Sequence, residues 1–286
     1  TTHFLHACSF ITCHRFSRKS RGDLHQNRGV GLGFLQAGDQ EFHGVRAVHV
    51  VEHAAEQPHA LHLIRRAEQL FLARSRTGDV KRRERAAVGE AAVKVAKACG
   101  YTNAGTVEFI VDDKGRFYFL EVNTRLQVEH PITEMITGID LVREMIRVAG
   151  GEPLRFTQDQ VRMKGHAIEV RINAEDPAKN FMPAPGPVVA FVPAQCAGVR
   201  WEIGIDTIDE SSPKFDPMIA KLIAHASDRL QTEIALTHAV SNVRCWPVVT
   251  NASMLHALLV DPDFVRARLS TSFIDDHPDV VYENEG

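Results

Sequence analysis

Little in this sequence points to export or to a membrane. Its 286 residues hold only five cysteines (Cys8, Cys13, Cys99, Cys196 and Cys245), odd in number, scattered and without a C-x-x-C pair. That argues against a disulfide framework and fits a reducing compartment. No apolar run approaches the ~20 residues of a membrane-spanning helix, and the mean hydropathy is −0.16. Aromatic residues make up 7% of the chain, with two Trp, and are not interleaved with basic residues at a regular spacing, so no nucleic-acid surface is predicted. Internal repeats and low-complexity tracts are also missing.

What is present is unevenly distributed. Residues 1–85 carry 14 Lys and Arg against 8 Asp and Glu, with nine of the 15 histidines; residues 86–286 carry 19 against 28. The front is about +6 and the remainder about −9, which together give the net −3. The first 22 residues contain no acid and include Arg15, Arg18, Lys19 and Arg21, a composition that resembles an organellar transit peptide. The chain begins at Thr1, and a fragment or processed product is the expectation. The Gly-rich stretch 29–38 follows no strand-like run and lacks the Lys-Ser/Thr of a phosphate loop, so it reads as a plain loop.

From Glu84 the texture becomes that of a folded domain. Helix formers fill 86–99, with Val88, Ala92, Val95 and Cys99 on one stripe and Gly100 as the C′ residue. TVEFIV (106–111), the DDKG turn (112–115) and RFYFLEV (116–122) predict a β-hairpin. Residues 139–149 predict a helix with Leu141, Met145 and Ala149 on one face. Over 165–224, short β-rich runs (HAIEVRI, PVVAFV, GVRWEI, MIAKLI) between Pro, Gly and Asp predict a small antiparallel sheet or barrel. Ser227 is positioned to cap a helix over 228–240, and a last helix near 252–260 precedes an acidic tail.

The hairpin carries the first chemical signal. With an even loop centred between Lys114 and Gly115, paired residues sum to 229, which sets Glu108 opposite Glu121. Two like charges across a ladder are destabilising by roughly 0.2–1 kcal/mol unless a cation lies between them. Asn123, two residues beyond Glu121, shares its face. Two carboxylates and an amide oxygen, without thiolate or imidazole, suit Mg²⁺ or Mn²⁺ bridging phosphates; an exposed, solvated pair of glutamates is the alternative. NTRLQVEHP (123–131) follows at once. Its Arg125 offers a planar fork for a small oxyanion such as bicarbonate, and Glu129 is placed to hold that Arg or act as a general base. A surface Arg–Glu pair is the alternative there.

With these residues in view the chain resembles biotin carboxylase, the ATP-grasp component of acetyl-CoA, propionyl-CoA, methylcrotonyl-CoA and pyruvate carboxylases. The resemblance is carried by AGTVEF, FYFLEVNTRLQVEHPITEMITGIDLV, GHAIEVRINAEDP (165–177), KFDPMIAKLI (214–223) and FIDDH (273–277). It implies an α+β fold: the second half of an ATP-grasp domain at 86–150, a linker at 151–164, a small β-rich C-terminal domain at 165–277 and an acidic tail at 278–286, with residues 1–85 unassigned. It further implies ATP-dependent carboxylation of biotin on a carrier domain, with ATP, Mg²⁺ or Mn²⁺, and biotin as substrate. Glu108 and Glu121 match metal-binding positions beside ATP, with Asn123 assisting. Arg125, Val128 and Glu129 match those that hold bicarbonate, Glu129 being the base that forms carboxyphosphate. Arg171 matches the arginine that stabilises the biotin enolate; from the residues alone it would be an ion-pair partner of Glu169 or Asp176. Lys214, Lys221 and His166 read as structural.

A biotin carboxyl carrier domain, a carboxyltransferase component and a second copy of the chain are the partners this resemblance implies, with no nucleic acid and no membrane. It favours the cytoplasm, or the mitochondrial matrix if the acid-free start is a transit peptide, and it leaves the four acceptor classes open. The resemblance covers about 86–277 and stops upstream of residue 86. Upstream, the glycine-rich loop and phosphate-gripping lysines of the family are not recognisable, so divergence, a foreign segment or out-of-frame translation are the alternatives, the last favoured by the shift to Arg and His. Impaired activity, or a non-catalytic fragment, follows as an expectation. A competing motif also lies there: His49, Glu52 and His53 fit the H-x-x-E-H pattern of zinc hydrolases, provided 44–57 is helical.

Overall fold

A computed structural model describes residues 10–13, 46–54, 61–64, 69–72, 82–111, 116–206, 210–211, 216–269 and 273–282. The 29–38 loop, the 112–115 turn and Lys214 lie outside the described residues. Strands β1 (Phe10–Cys13), β2 (Arg46–Ala54), β3 (Leu61–Ile64) and β4 (Gln69–Leu72) precede helix α1 (Arg82–Ala98). Next come β5 (Asn103–Val111), β6 (Phe117–Asn123), α2 (His130–Thr137) and α3 (Leu141–Ala149). Strand β7 (His166–Asn173) opens the second half, followed by β8 (Glu175–Asp176), β9 (Met182–Pro183), β10 (Gly186–Pro187), β11 (Ala190–Val192), β12 (Val199–Ile203), β13 (Glu210–Ser211) and β14 (Met218–Ala226). Helix α4 (Arg229–Asn242), β15 (Arg244–Trp246), α5 (Ala252–Val260), α6 (Pro262–Val265), α7 (Phe273–Asp276) and α8 (Asp279–Tyr282) complete the chain.

One sheet runs β3-β4-β5-β6, parallel only between β4 and β5. Helix α1 lays Ala92 and Ala96 on Val107 and Phe109; small residues on the helix let the larger strand side chains fill the gap. A second, antiparallel sheet runs β1-β2-β7-β14-β12. Period-2 alternation divides β7 between two tasks. Ile168, Val170 and Ile172 face the large core with Leu222, Leu236 and Leu258, while Ala167 packs with Ile223 of β14 and with Ile132 and Ile136 of α2. Glu169 and Arg171 share the α2 side, and that side carries the polar site.

Several details differ from the sequence reading. The first helix starts at Arg82, not at residue 86. Asp228, not Ser227, caps α4, accepting from the Gln231 amide, because a carboxylate there also meets the positive end of the helix dipole. PVVAFV is not one strand: Pro187 ends β10, which pairs with β13, and Ala190–Val192 forms β11, which pairs with β15 outside the large sheet. Helix α2 was not anticipated. Its eight residues are too short to show periodicity, yet Pro131 at its start and the left-handed Gly138 at its end are recognisable terminal signals. The H-x-x-E-H stretch lies in strand β2. Zinc ligation needs one helical turn between the two histidines, whereas four strand residues span about 13 Å, so the zinc-hydrolase pattern is not formed.

Candidate functional site

The hairpin brings Glu108 and Glu121 together as the sum rule requires, by a different route. Val111 pairs with Phe117 and Phe109 with Phe119, sums of 228, so the residues between the strands are odd in number. A bulge between Phe109 and Glu108 then shifts the register, and Glu108–Glu121, Val107–Val122 and Thr106–Asn123 all sum to 229. An extra residue on one strand re-aims the side chains beyond it. Without it Glu108 would face Leu120.

The two carboxylates converge on one atom. Asn123 Nδ2 donates to Glu108 Oε1 at 2.7 Å and to Glu121 Oε1 at 3.2 Å. Gln127 Nε2 donates to the same Glu108 oxygen at 3.5 Å, and its Oε1 accepts from Thr106 Oγ1 at 3.2 Å. Two anionic groups therefore share neutral donors. A flip of the Asn123 amide presents Oδ1 where Nδ2 now lies, giving three oxygen ligands of the kind hard divalent cations take. The donor set fits Mg²⁺ or Mn²⁺.

Beyond the strand the chain turns through residues 124–129 into α2. Arg125 is exposed, and among the described residues its Nη1 reaches the Leu126 carbonyl, at 3.4 Å. Glu129 does not hold it, contrary to one sequence expectation. Glu129 is 3% exposed, and its Oε2 lies 3.4 Å from Arg171 Nη2, which reaches over from β7. Arg171 therefore pairs with Glu129, where the residues alone pointed to Glu169 or Asp176; Asp176 instead bonds Lys179 at 2.9 Å. Burial lowers the Arg171 pKa and the Glu129 charge opposes that effect, so the guanidinium stays charged. The other Glu129 oxygen, Oε1, is buried without a hydrogen-bond partner among the described residues. A buried carboxylate oxygen left open is costly in a finished core and useful in a site that takes up a proton.

Three supporting groups had no clear signal in the sequence. Asn251, buried, clamps the backbone around Arg171: Oδ1 accepts from Asn173 N at 2.9 Å, while Nδ2 donates to the Arg171 carbonyl and to Glu175 Oε1, both at 3.1 Å. Burial pushes Glu175 up to about 7, restrained by the Asn173 and Asn251 amides. Glu169 is 0% exposed, with neither oxygen partnered among the described residues, and burial pushes it up to about 8. A carboxyl in that state is largely neutral at pH 7.

His130, Glu134 and Glu202 also bring ligand atoms within 4.8 Å of one another. The cluster is already neutralised: Arg200 pairs with Glu134 at 2.8 Å and with Glu202, and Lys221 pairs with Glu202. Burial lowers the His130 pKa, and Gln127 O engages its Nδ1 at 2.9 Å. Two acids matched by two cations leave no deficit for a metal to fill. No helix among the described residues is long and apolar enough to cross a membrane.

Comparison with known proteins matches two sequence families: the carbamoyl-phosphate synthase L chain ATP binding domain over residues 47–157, and the biotin carboxylase C-terminal domain over 169–276. The first match begins upstream of residue 86, so the resemblance reaches further toward the front than the quoted motifs. Biotin carboxylase 2 of Bacillus subtilis is 42% identical over 243 residues, covering 80% of this chain and 54% of that protein. The mitochondrial propionyl-CoA carboxylase alpha chain of Homo sapiens is 48% identical over 198 residues, 68% of this chain and 27% of that one. Among solved structures, the biotin carboxylase domain dimer of Hydrogenobacter thermophilus 2-oxoglutarate carboxylase, in complex with MgADP, ADP and bicarbonate, superposes with a TM-score of 0.67 at 41% identity, covering 70% of this chain and 44% of that one. The chain thus spans about half the length of the Bacillus relative, and less of the human one.

Proposed function

The C-terminal part of this chain belongs to the biotin carboxylase family, and on that premise we propose that the site built by Glu108, Glu121, Asn123, Arg125, Val128, Glu129 and Arg171 carboxylates carrier-bound biotin with bicarbonate and ATP. Glu129 carries this reading, since it is buried, holds one oxygen against Arg171 and keeps the other open. Glu108, Glu121 and Asn123 would hold Mg²⁺ or Mn²⁺, which when bound neutralises phosphoryl oxygens of ATP.

The chain's own residues then divide the work. Arg125, exposed, offers its fork to bicarbonate. Glu129 Oε1 takes the bicarbonate proton, and the freed oxygen attacks the γ-phosphorus, giving carboxyphosphate and ADP. Carboxyphosphate breaks to CO2 and phosphate, and the phosphate removes the ureido proton of biotin. Arg171 faces the negative charge that develops on the ureido oxygen, a preorganised cation in a largely dry setting. Because it already sits against Glu129, one guanidinium serves both half-reactions.

A biotin carrier domain, a carboxyltransferase component and a second copy of the chain are the partners this reading calls for, in the cytoplasm or the mitochondrial matrix. The domain limits keep 86–150 as the ATP-grasp half and 165–277 as the C-terminal domain. Bicarbonate- and biotin-dependent ATP cleavage is the test. It is expected to fall by at least about a hundredfold on Glu129→Gln or Arg171→Ala, with circular dichroism unchanged. Folded protein that cleaves no ATP would instead support a non-catalytic fragment, the reading favoured by a chain that spans 54% of its Bacillus relative.

A further inference from the structure

Lys221 starts in the large sheet and ends on the turn that carries the base. Its Nζ donates to the Val128 carbonyl oxygen at 2.9 Å and pairs with Glu202. The register explains the reach: Lys221 of β14 sits opposite Arg171 of β7 on one side and Glu202 of β12 on the other. Three charged residues thus form one row across the sheet. From Glu202 the contacts continue to Arg200, from Arg200 to Glu134 Oε2 at 2.8 Å, and from Glu134 Oε1 to the Leu141 amide at 2.7 Å, the first residue of α3.

Lys221 is only 8% exposed, and the Val128 carbonyl and Glu202 are partners that its buried Nζ meets. The nearby Glu169 does not compete for it as a full charge, because burial favours its neutral form. In a trans peptide the carbonyl and the following N–H point in opposite directions within one plane. Fixing the Val128 oxygen therefore fixes the direction of the Glu129 N–H and the point from which the Glu129 side chain departs. We propose that Lys221 is a positioning residue, which sets the bicarbonate pocket by holding the Val128–Glu129 peptide from the C-terminal domain. This rests on the function proposed above. Arg171 and Lys221 together then grip the base from adjacent strands, one by its side chain and the other by its backbone.

The test uses the full chain with Lys221→Met, close in length but without the donor, and Lys221→Arg, which can reach both a carbonyl and a carboxylate. Lys221→Met is expected to raise the KM for bicarbonate about tenfold or more, the scale of one charged hydrogen bond, with the KM for ATP unchanged; Lys221→Arg is expected to restore most of it. Both KM values rising together, or neither, would overturn the proposal. Amide hydrogen exchange supplies a readout independent of turnover. In Lys221→Met the amides of residues 127–130 are expected to exchange about tenfold faster, with those of 222–224 unchanged. Equal protection in both proteins, or loss across the whole of β14, overturns the tie. A wild-type chain that cleaves no ATP counts against the proposed function, while the exchange experiment still decides the role of Lys221.

Discussion

Replacing Asn251 with Ala tests how Arg171 is held. The variant keeps the chain path, because the backbone bonds from Asn251 N to Asn173 O (3.2 Å) and from Leu255 N to Asn251 O (3.0 Å) do not involve the side chain. Three side-chain bonds disappear from a residue that is 2% exposed. Asn173 N–H loses its Oδ1 acceptor, at about 2 kcal/mol for a buried orphaned donor; the Arg171 carbonyl and Glu175 each lose one donor, at about 1 kcal/mol apiece. Glu175 retains the Asn173 amide at 3.3 Å, so its loss is partial. The expected destabilisation is about 4 kcal/mol, measured as the shift in urea midpoint at constant m-value. Because an Asn251 amide restrains the Glu175 carboxyl, its pKa is also expected to rise further above about 7. A loss below about 1 kcal/mol would show that the clamp is replaceable, and the account of how β7 presents Arg171 would fail.

Two further outcomes follow from the same region. Glu169 is pushed up to about 8 by burial from an ordinary 4.5, so the folded state holds a proton that the unfolded state releases. Its contribution is complete below about 4.5 and is lost as pH rises through about 8, at about 1.4 kcal/mol per pH unit for one proton; Glu169→Gln is expected to flatten that fall in denaturation curves, and an unchanged slope would remove Glu169 as its source. Gly165 has φ of +69°, and a Cβ there would lie 2.2 Å from the Ala226 carbonyl oxygen. Gly165→Ala is expected to cost at least about 2 kcal/mol, seen as a lowered Tm, and a change under about 0.5 kcal/mol would contradict that close approach.

How much of this was legible depended on how local the physics was. The sequence places a helix near 252–260, where α5 lies, and the Leu141 stripe marks α3, because apolar periodicity is written in consecutive residues. The Glu108–Glu121 pairing was also legible, since alternation and a turn set a register; the bulge that produces it was not, because nothing in FYFLEV marks Leu120 as the extra residue. The partner of Arg171 lay 42 positions away on another element, and the nearer acids, Glu169 and Asp176, misdirected the reading. Asn251 is 80 positions from the carbonyl it holds. Contacts of that kind depend on which strands become neighbours, and sequence spacing does not encode that choice.

Strand β7 turns Ile168, Val170 and Ile172 to the hydrophobic interior, and Glu169 and Arg171 to the opposite side, where Arg171 meets Glu129. Inserting or deleting a single residue within 166–173 would exchange the two sets, driving a guanidinium into oil while turning isoleucines toward Glu129. Substitutions along this segment leave that division in place, whereas a shift in the spacing from Glu169 to Arg171 breaches the water-excluding core before it reaches any polar contact.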